Sequence, residues 1–336
     1  MHDKFSIKQI AAQAGLSTAT VDRVLNGRKG VRFQTRSRVN KALEELEEQE
    51  GLQNTFGRTL YVDIIIQAPK RFSDAVKQAI LANLATLPGC RIHPRFHFFE
   101  SISLSELNRC LLGCEASGSN GVLLKAPDQS LIKQGIDHLF DINIPVVTLV
   151  TDLPYSKRLA YIGIDNRAAG RTAAYMLSRL LKQQQARVAV VLSRQEFRGE
   201  EEREMGFRSL IRESFPWINI VEIPGGQGLY QATYDKVISQ LEQDSDINCV
   251  YSVGGGNQAI LDAFDALSRP IDVFIGHDLD QENRALLMSH KLDLIIDHDL
   301  EEDVRRAFSH ILMFQKVIPK ASLPESKINI VTPYNL

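Results

Sequence analysis

Apolar positions recur at two different periods along this chain, and the period changes near residue 60. Before that point the spacing is helical. Ile7, Ile10, Ala11 and Ala14 line one face of a first segment. Gly15 ends it, because glycine enters the left-handed conformation without a steric penalty. Ser17 stands where an N-cap belongs, ahead of a second segment from Thr18 to Leu25 with Val21, Val24 and Leu25 inward. Its other face shows Thr18, Ala19, Asp22, Arg23 and Asn26. Two short helices joined by a tight glycine turn, the second polar outward, predict a helix-turn-helix that reads the DNA major groove. Further on, Glu44 to Glu50 makes an acidic run, and Gly51 to Gly57 reads as a linker.

From Leu60 onward, strand alternates with helix. Apolar strands are predicted at Tyr61 to Gln67, Arg91 to Phe98, Gly121 to Leu124, Val146 to Leu149, Arg187 to Leu192, Asn219 to Ile223, Cys249 to Val253, Val273 to Ile275 and Leu294 to Ile296. Amphipathic stretches lie between most of them, such as Asp74 to Leu87, Arg167 to Leu181, Arg203 to Ser214, Tyr230 to Glu242 and Gln258 to Leu267. This alternation argues for parallel sheets covered on both faces. Nine strands over such a length fit two doubly wound sheets better than one.

Charge sharpens the picture of the first segment. Residues 1–43 hold nine basic side chains against Asp3 and Asp22, a surplus of seven positive charges, whereas the whole chain carries −2. The remainder therefore carries −9. A basic arm on an acidic body is the footprint of a protein that touches nucleic acid at one end. The 336 residues suit two or three domains, and 44% hydrophobic with 24% charged residues is an ordinary soluble composition. Met1 to Lys8 is polar, so no secretory signal is expected, and no apolar run approaches the roughly 20 residues of a membrane helix. The expected location is the cytoplasm, without membrane contact. Cys110 and Cys114, four apart on a predicted helix, lack a nearby histidine or further cysteine in sequence to complete a metal site.

The stretch from Ser6 to Asn26 resembles the headpiece of the lactose/galactose-repressor (LacI) family, whose members open with a similar T-I-x-D-V-A-x-x-A-G-V-S-x-x-T-V-S-R-V-L-N. Matching residues are Ser6-Ile7, Ile10-Ala11, Ala14-Gly15-Leu16-Ser17 and Thr20 to Asn26, and the likeness continues through Val31 and Thr35-Arg36 into a third helix, Arg36 to Leu46, which the acidic run closes. Asp22 departs from the usual serine. An acidic residue there can accept from a cytosine amino group or orient Arg23. The resemblance and the outward face together nominate Ser6, Ile7, Ser17, Thr18, Ala19, Asp22, Arg23, Asn26, Arg32, Thr35 and Arg36 as DNA-binding residues. The family's proline-bearing hinge is replaced by Glu48 to Leu60, where Leu52, Phe56 and Leu60 keep a four-residue spacing but Gly51 and Gly57 disfavour a helix.

The body resembles the sugar-binding module that this family shares with periplasmic binding proteins, through IPVVTLVTDLP (144–154), YIGIDNRAAGRTAAYML (161–177), YSVGGGNQAI (251–260), FIGHDL (274–279) and LIIDHDLEEDVRRA (294–307). The fold so implied is α/β: an all-α headpiece at 1–50, a hinge at 51–59, and a two-lobed, doubly wound effector domain at 60–336. The first lobe takes about 60–163 and 297–320, the second about 164–296 and 321–336. In such sheets ligands sit outside the carboxyl ends of the strands. That rule picks Phe72, Lys125, Asp152, Arg203, Asn257, Asp278 and His298 for the effector, because gripping a polyol requires paired carboxylate and guanidinium groups with an aromatic plate.

Gly254-Gly255-Gly256 follows a strand without any phosphate-loop continuation, and reads as backbone that needs close approach to a ligand or helix. His277-Asp278 and Asp297-His298-Asp299 have no metal-ligand spacing, and no nucleophile motif such as G-x-S-x-G occurs. No enzyme activity, cofactor or metal is expected. The reading is a sequence-specific regulator, most simply a repressor, that binds near-palindromic double-stranded operator DNA as a homodimer and answers to a sugar, polyol or related metabolite. The alternative is a cytoplasmic sugar-binding protein without gene control. Salt-dependent DNA binding separates the two.

Overall fold

The computed structural model describes residues 5–336 except 29–30, 56–57, 85–86, 182–185 and 195, with the side chains of 45 and 47–55 also outside the described residues. Two compact units result: Met1–Thr59 with Pro88–Arg91, and Leu60–Leu87 with Ile92–Leu336.

The first unit is helical. α1 (Ile7–Ala14) opens on a capping box in which Ser6 Oγ accepts from the Gln9 amide (3.3 Å) and Gln9 Oε1 accepts from the Ser6 amide (2.9 Å). It ends at Gly15, whose φ of 62° is left-handed. α2 (Thr18–Leu25) is capped by Ser17 Oγ, which accepts from the Thr20 amide at 3.2 Å. Helices of eight residues do not hold themselves in water. They persist because Ile10, Ala11, Val21 and Val24 bury against Val39 of α3 (Phe33–Thr55). Arg38 of α3 donates to the Ala14 carbonyl at 2.7 Å, which satisfies an end of α1 and pins the turn.

α3 corrects one expectation. The chain stays helical through Gly51 as far as Thr55, instead of leaving the helix after the acidic run. Strong helix formers from Ala42 to Gln53 outweigh the roughly 1 kcal/mol that one glycine costs. Phe56, Gly57 and the side chain of Leu52, on which the hinge spacing depends, lie outside the described residues.

The second unit carries two sheets. The first lobe runs β1 (Thr59–Gln67), α4 (Lys70–Asn83), β2 (Arg91–Phe99), α5 (Leu104–Ala116), β3 (Gly121–Lys125), α6 (Ser130–Asp141), β4 (Val146–Leu149) and β5 (Ala160–Ile162). Its strand order is β2-β1-β3-β4-β5, with β1, β3, β4 and β5 parallel and Val62 opposite Gly121. The chain then crosses over to α7 (Asn166–Leu180), β6 (Ala186–Val191), α8 (Arg198–Ser214), β7 (Ile218–Ile223), α9 (Tyr230–Gln243), β8 (Cys249–Ser252), α10 (Asn257–Ala266), β9 (Val273–His277), α11 (Gln281–Met288) and β10 (Leu294–Asp297). α12 (Leu300–Phe314) returns to pack on α4, β4 and β5 of the first lobe. β11 (Asn329–Val331) crosses back and pairs antiparallel with β10, giving the order β11-β10-β9-β8-β6-β7.

Apolar runs such as Ile64-Ile65-Ile66 and Val188 to Val191 are buried because helices cover both faces of each sheet. Two strands, β5 and β11, were not expected; three residues each are too few to show a period. α4 starts at Lys70, four residues before the expected Asp74, with Pro69 at its N-cap position, and α8 starts at Arg198 instead of Arg203. α7 and α8 cross backbone to backbone. A Cβ on Gly170 would overlap the Arg203 carbonyl, and one on Gly206 the Arg167 carbonyl. Among the described residues, no helix is long and apolar enough to cross a membrane.

Candidate functional site

Residues that follow β1, β3 and β4 in one lobe, and β6, β8 and β9 in the other, line one cleft. It encloses about 690 Å³ of atom-free space, solvent at its mouth included. This is the carboxyl-end position that open α/β sheets reserve for ligands.

Arg203 comes from α8 and is 3% exposed. Its Nε donates to Asn166 Oδ1 (2.8 Å) and its Nη1 to the Val253 carbonyl (3.1 Å), so the close α7–α8 crossing aims the remaining Nη2 into the cleft. Nη2 lies 3.9 Å from Asp278 Oδ1. Asp278 follows β9 in a left-handed conformation (φ 64°), which costs a non-glycine residue about 1–2 kcal/mol. The surroundings hold it there: its amide donates to the Ile296 carbonyl (3.1 Å), and its own carbonyl accepts from Asn283 Nδ2 (2.7 Å). Its Oδ1 is buried without a hydrogen-bond partner among the described residues, and so is Nδ1 of His277. Burial first, then Arg203 and His298, push His277 well below the ordinary histidine range, so it is neutral beside Tyr251 Oη at 2.8 Å.

Lys125 ends β3 and is 9% exposed. Its Nζ sits 4.0 Å from the Phe197 ring centre and 5.4 Å from that of Phe72. Burial pushes it down to about 8, against the attraction of Glu200 and Asp278. Contacts between the lobes clasp the mouth. Arg71 of α4 donates to the Gly228 carbonyl (2.8 Å) and pairs with Asp280 (3.0 Å). Arg194 donates to the Glu100 carbonyl (2.9 Å), and Thr151 Oγ1 accepts from the Gly199 amide (3.0 Å).

Of the seven candidates, Phe72, Lys125, Arg203 and Asp278 come together on the cleft wall. Two others are corrected. Asp152 is spent inside its own lobe, on Arg158 (Nη2 at 2.6 Å), Thr148 Oγ1 (3.1 Å) and the Leu153 amide (2.8 Å). Asn257 is fully buried behind the wall, where its Nδ2 donates to Asn283 Oδ1 at 2.7 Å. It steadies the residue that steadies Asp278. His298 lines an adjoining pocket, with Nε2 3.8 Å from Asp278 Oδ1 and Nδ1 2.6 Å from Asp303. Burial opposes its charge, but Asp303 and then Asp278 prevail and raise it above the ordinary range. Asp303 in turn accepts from Ser326 Oγ (2.6 Å), on the segment that leads to β11.

Sequence reasoning missed Arg71, Ser193, Arg194, Phe197, Glu200, His277, Asp280 and Asn283, all on the cleft wall. Arg198 to Glu204 is a run rich in charge, a kind of stretch that usually faces solvent. Yet Glu200 is buried, and its carboxylate caps the loop by accepting from the Ser193 amide (2.9 Å) and the Arg194 amide (3.2 Å). Gly255, at φ 88°, leaves the room that the Arg71 guanidinium occupies, so the triple glycine serves close approach to a side chain.

In the helical unit, Ser6, Ile7, Ser17, Thr18, Ala19, Arg23, Asn26, Arg32 and Arg36 are exposed, while Thr35 and Asp22 are half-buried. Ser6 and Ser17 are occupied as caps. The Asp22 carboxylate accepts from Asn26 Nδ2 (2.8 Å) and lies 3.6 Å from Arg28, so its partners are these and not Arg23. The Asn26 bond completes the end of α2, where the amides beyond Leu25 turn back on the helix.

Residues 115–310, more than half of the chain, match the family described as periplasmic binding protein domain. The chain belongs to that family. Residues 6–47 match the bacterial regulatory proteins of the lacI family, which makes the helical unit its DNA-binding head and the whole a transcriptional regulator. A curated relative, the HTH-type transcriptional regulator CelR of Thermobifida fusca, is 23% identical over 263 residues, 74% of this chain and 73% of that protein. Among solved structures, GanP, a glucose-galactose binding protein from Geobacillus stearothermophilus, superposes with a TM-score of 0.73 at 20% identity. It covers 83% of this chain and 99% of that one. AraP, an arabinose binding protein from the same organism, gives 0.67 at 19% identity over 83% and 98%. These likenesses establish the two-lobed fold of the periplasmic binding protein domain for the body.

Proposed function

We propose that this regulator is a repressor that binds a near-palindromic operator as a homodimer in the cytoplasm, and that a sugar-like polyol seated between the lobes controls it. The observation that carries the effector site is Asp278 Oδ1, buried on the cleft wall without a hydrogen-bond partner among the described residues, with Arg203 Nη2 3.9 Å away. A hydroxyl donates and accepts at once, so a diol fits between a carboxylate and a guanidinium. The sugar-binding proteins among the structural neighbours support that chemistry. Phe72 offers a ring face at the same wall, and His298 holds Asp278 from behind.

Thr18, Ala19 and Arg23 are assigned to base edges, and Arg32 and Arg36 to phosphates. One such head buries too little surface for tight specific binding, which is why two are required. Fluorescence anisotropy on operator DNA, with and without a panel of sugars, tests the whole reading. Affinity should fall linearly with log salt and should shift in the presence of one sugar class. A chain whose body binds sugars but whose head shows no salt-dependent DNA binding would be the solute-binding alternative. Sedimentation should show a dimer; a monomer at micromolar concentration with full operator affinity contradicts the assembly proposed.

A further inference from the structure

Among the described residues, four cationic side chains line the cleft, Arg71, Lys125, Arg194 and Arg203, against three carboxylates, Glu200, Asp278 and Asp280. One positive charge is left over. Hydrogen-bonding capacity is also spent unevenly. Asp280 takes Arg71 at 3.0 Å and the Asn283 amide at 2.8 Å, and Glu200 takes the Ser193 amide and hydroxyl. Arg71 and Arg194 spend donors on backbone carbonyls of the opposite lobe. Lys125 differs from all of these. An ammonium has three donors. Among the described residues only the Gln67 carbonyl, at 3.3 Å, receives one of them, and two aromatic rings occupy the flanks.

Leaving such buried donors unmade is costly, and a charge-assisted bond to an anion is about twice as strong as one to a neutral group. We infer that the effector is a sugar acid, whose carboxylate is received by Lys125 while its hydroxyls engage Arg203 and Asp278. This rests on the cleft being the polyol site proposed above. A phosphate dianion would exceed the single surplus charge, whereas a carboxylate matches it. Burial lowers Lys125 to about 8 against the pull of Glu200 and Asp278, so a carboxylate placed beside the ammonium would favour its charged form.

Calorimetric titration of the full-length protein at pH 8 in two buffers of different ionisation heat tests this. The probes are D-gluconate, D-glucuronate and D-galacturonate, their neutral counterparts D-glucose and D-galactose, and D-glucose 6-phosphate. At least one acid should bind about tenfold or more tighter than its neutral counterpart, with net proton uptake as Lys125 becomes fully charged. Lys125→Gln should erase that preference by weakening the acid alone, while Lys125→Arg should keep much of it. Equal or tighter binding of the neutral sugars, acid binding without proton uptake, equal loss of both ligands in Lys125→Gln, or a tighter phosphate would each overturn the inference. Neutral sugars binding alone would sink only this inference and leave the polyol site standing; no binding by any probe would bring down both.

Discussion

Replacing Lys125 by methionine should stabilise the fold. The folded protein holds this ammonium at about 8 against an ordinary 10.5, a difference of roughly 2.5 units and so about 3 kcal/mol of penalty while the side chain is charged. Methionine keeps the unbranched stem between Phe72 and Phe197, and its thioether packs well on rings. At pH 7 the variant should therefore be more stable by about 2–3 kcal/mol. The sign with pH follows. Between about 8 and 10.5 the unfolded chain binds more protons at this position than the folded one, so the native protein gains stability as pH rises through that window. The advantage of the variant should then shrink toward zero by about pH 10.5. His97, which the bond to Asp63 raises to about 9, adds a fall in stability as pH climbs from 6.5 through 9, but it is common to both chains and cancels in the difference. Urea unfolding at several pH values, read from Trp217 as the single tryptophan, gives that difference directly. A variant less stable at pH 7, or a gap that does not change with pH, would refute the argument.

Arg23→Ala should cost about 1–3 kcal/mol on the cognate operator and relax preference at one base pair, measured by anisotropy on a set of mutated operators. Arg36→Ala should weaken all sequences alike and flatten the salt slope. Asp278→Ala should remove the effector's thermal shift, which at 100 times the dissociation constant is worth about 2.7 kcal/mol. Gly206→Ala should destabilise by more than about 2 kcal/mol and weaken effector binding too, because its methyl meets the Arg167 backbone and pries α8, with Arg203, away from α7. Arg38→Ala should lower the melting temperature of the head by releasing the turn at Ala14.

The architecture was legible in the sequence wherever a period had room to show itself. Nine strands, the two head helices and the glycine turn follow from spacing and capping alone, whereas β5 and β11 are too short to carry a signal. The cleft was half legible. Lys125 and Asp278 could be found because one ends a strand and the other follows one, and Arg203 because it lies near the start of its helix. Asp152 obeys the same rule and yet turns to Arg158, a choice made by side-chain partners that strand position does not encode. Glu200 and Arg71 were hidden for the opposite reason. Charged residues on helices default to solvent, whereas Glu200 turns under its own lobe's Ser193-Arg194 loop and Arg71 reaches across to Gly228 and Asp280. The end of α3 escaped because one glycine is a weak stop when strong helix formers surround it.

Gly255 touches no ligand in any of these proposals, yet its missing side chain is what lets the Arg71 guanidinium settle over the second lobe. Any residue with a Cβ would meet both that group and a backbone at φ 88°. In a genetic selection for response-dead alleles, Gly255 should thus surface as readily as Asp278. The two would part on biochemical inspection. An Asp278 allele fails to capture the inducer or corepressor, whereas a Gly255 allele still admits it to one jaw but cannot complete the bite. Such a phenotype would arise from lost shape alone, at a position that offers no chemistry to lose.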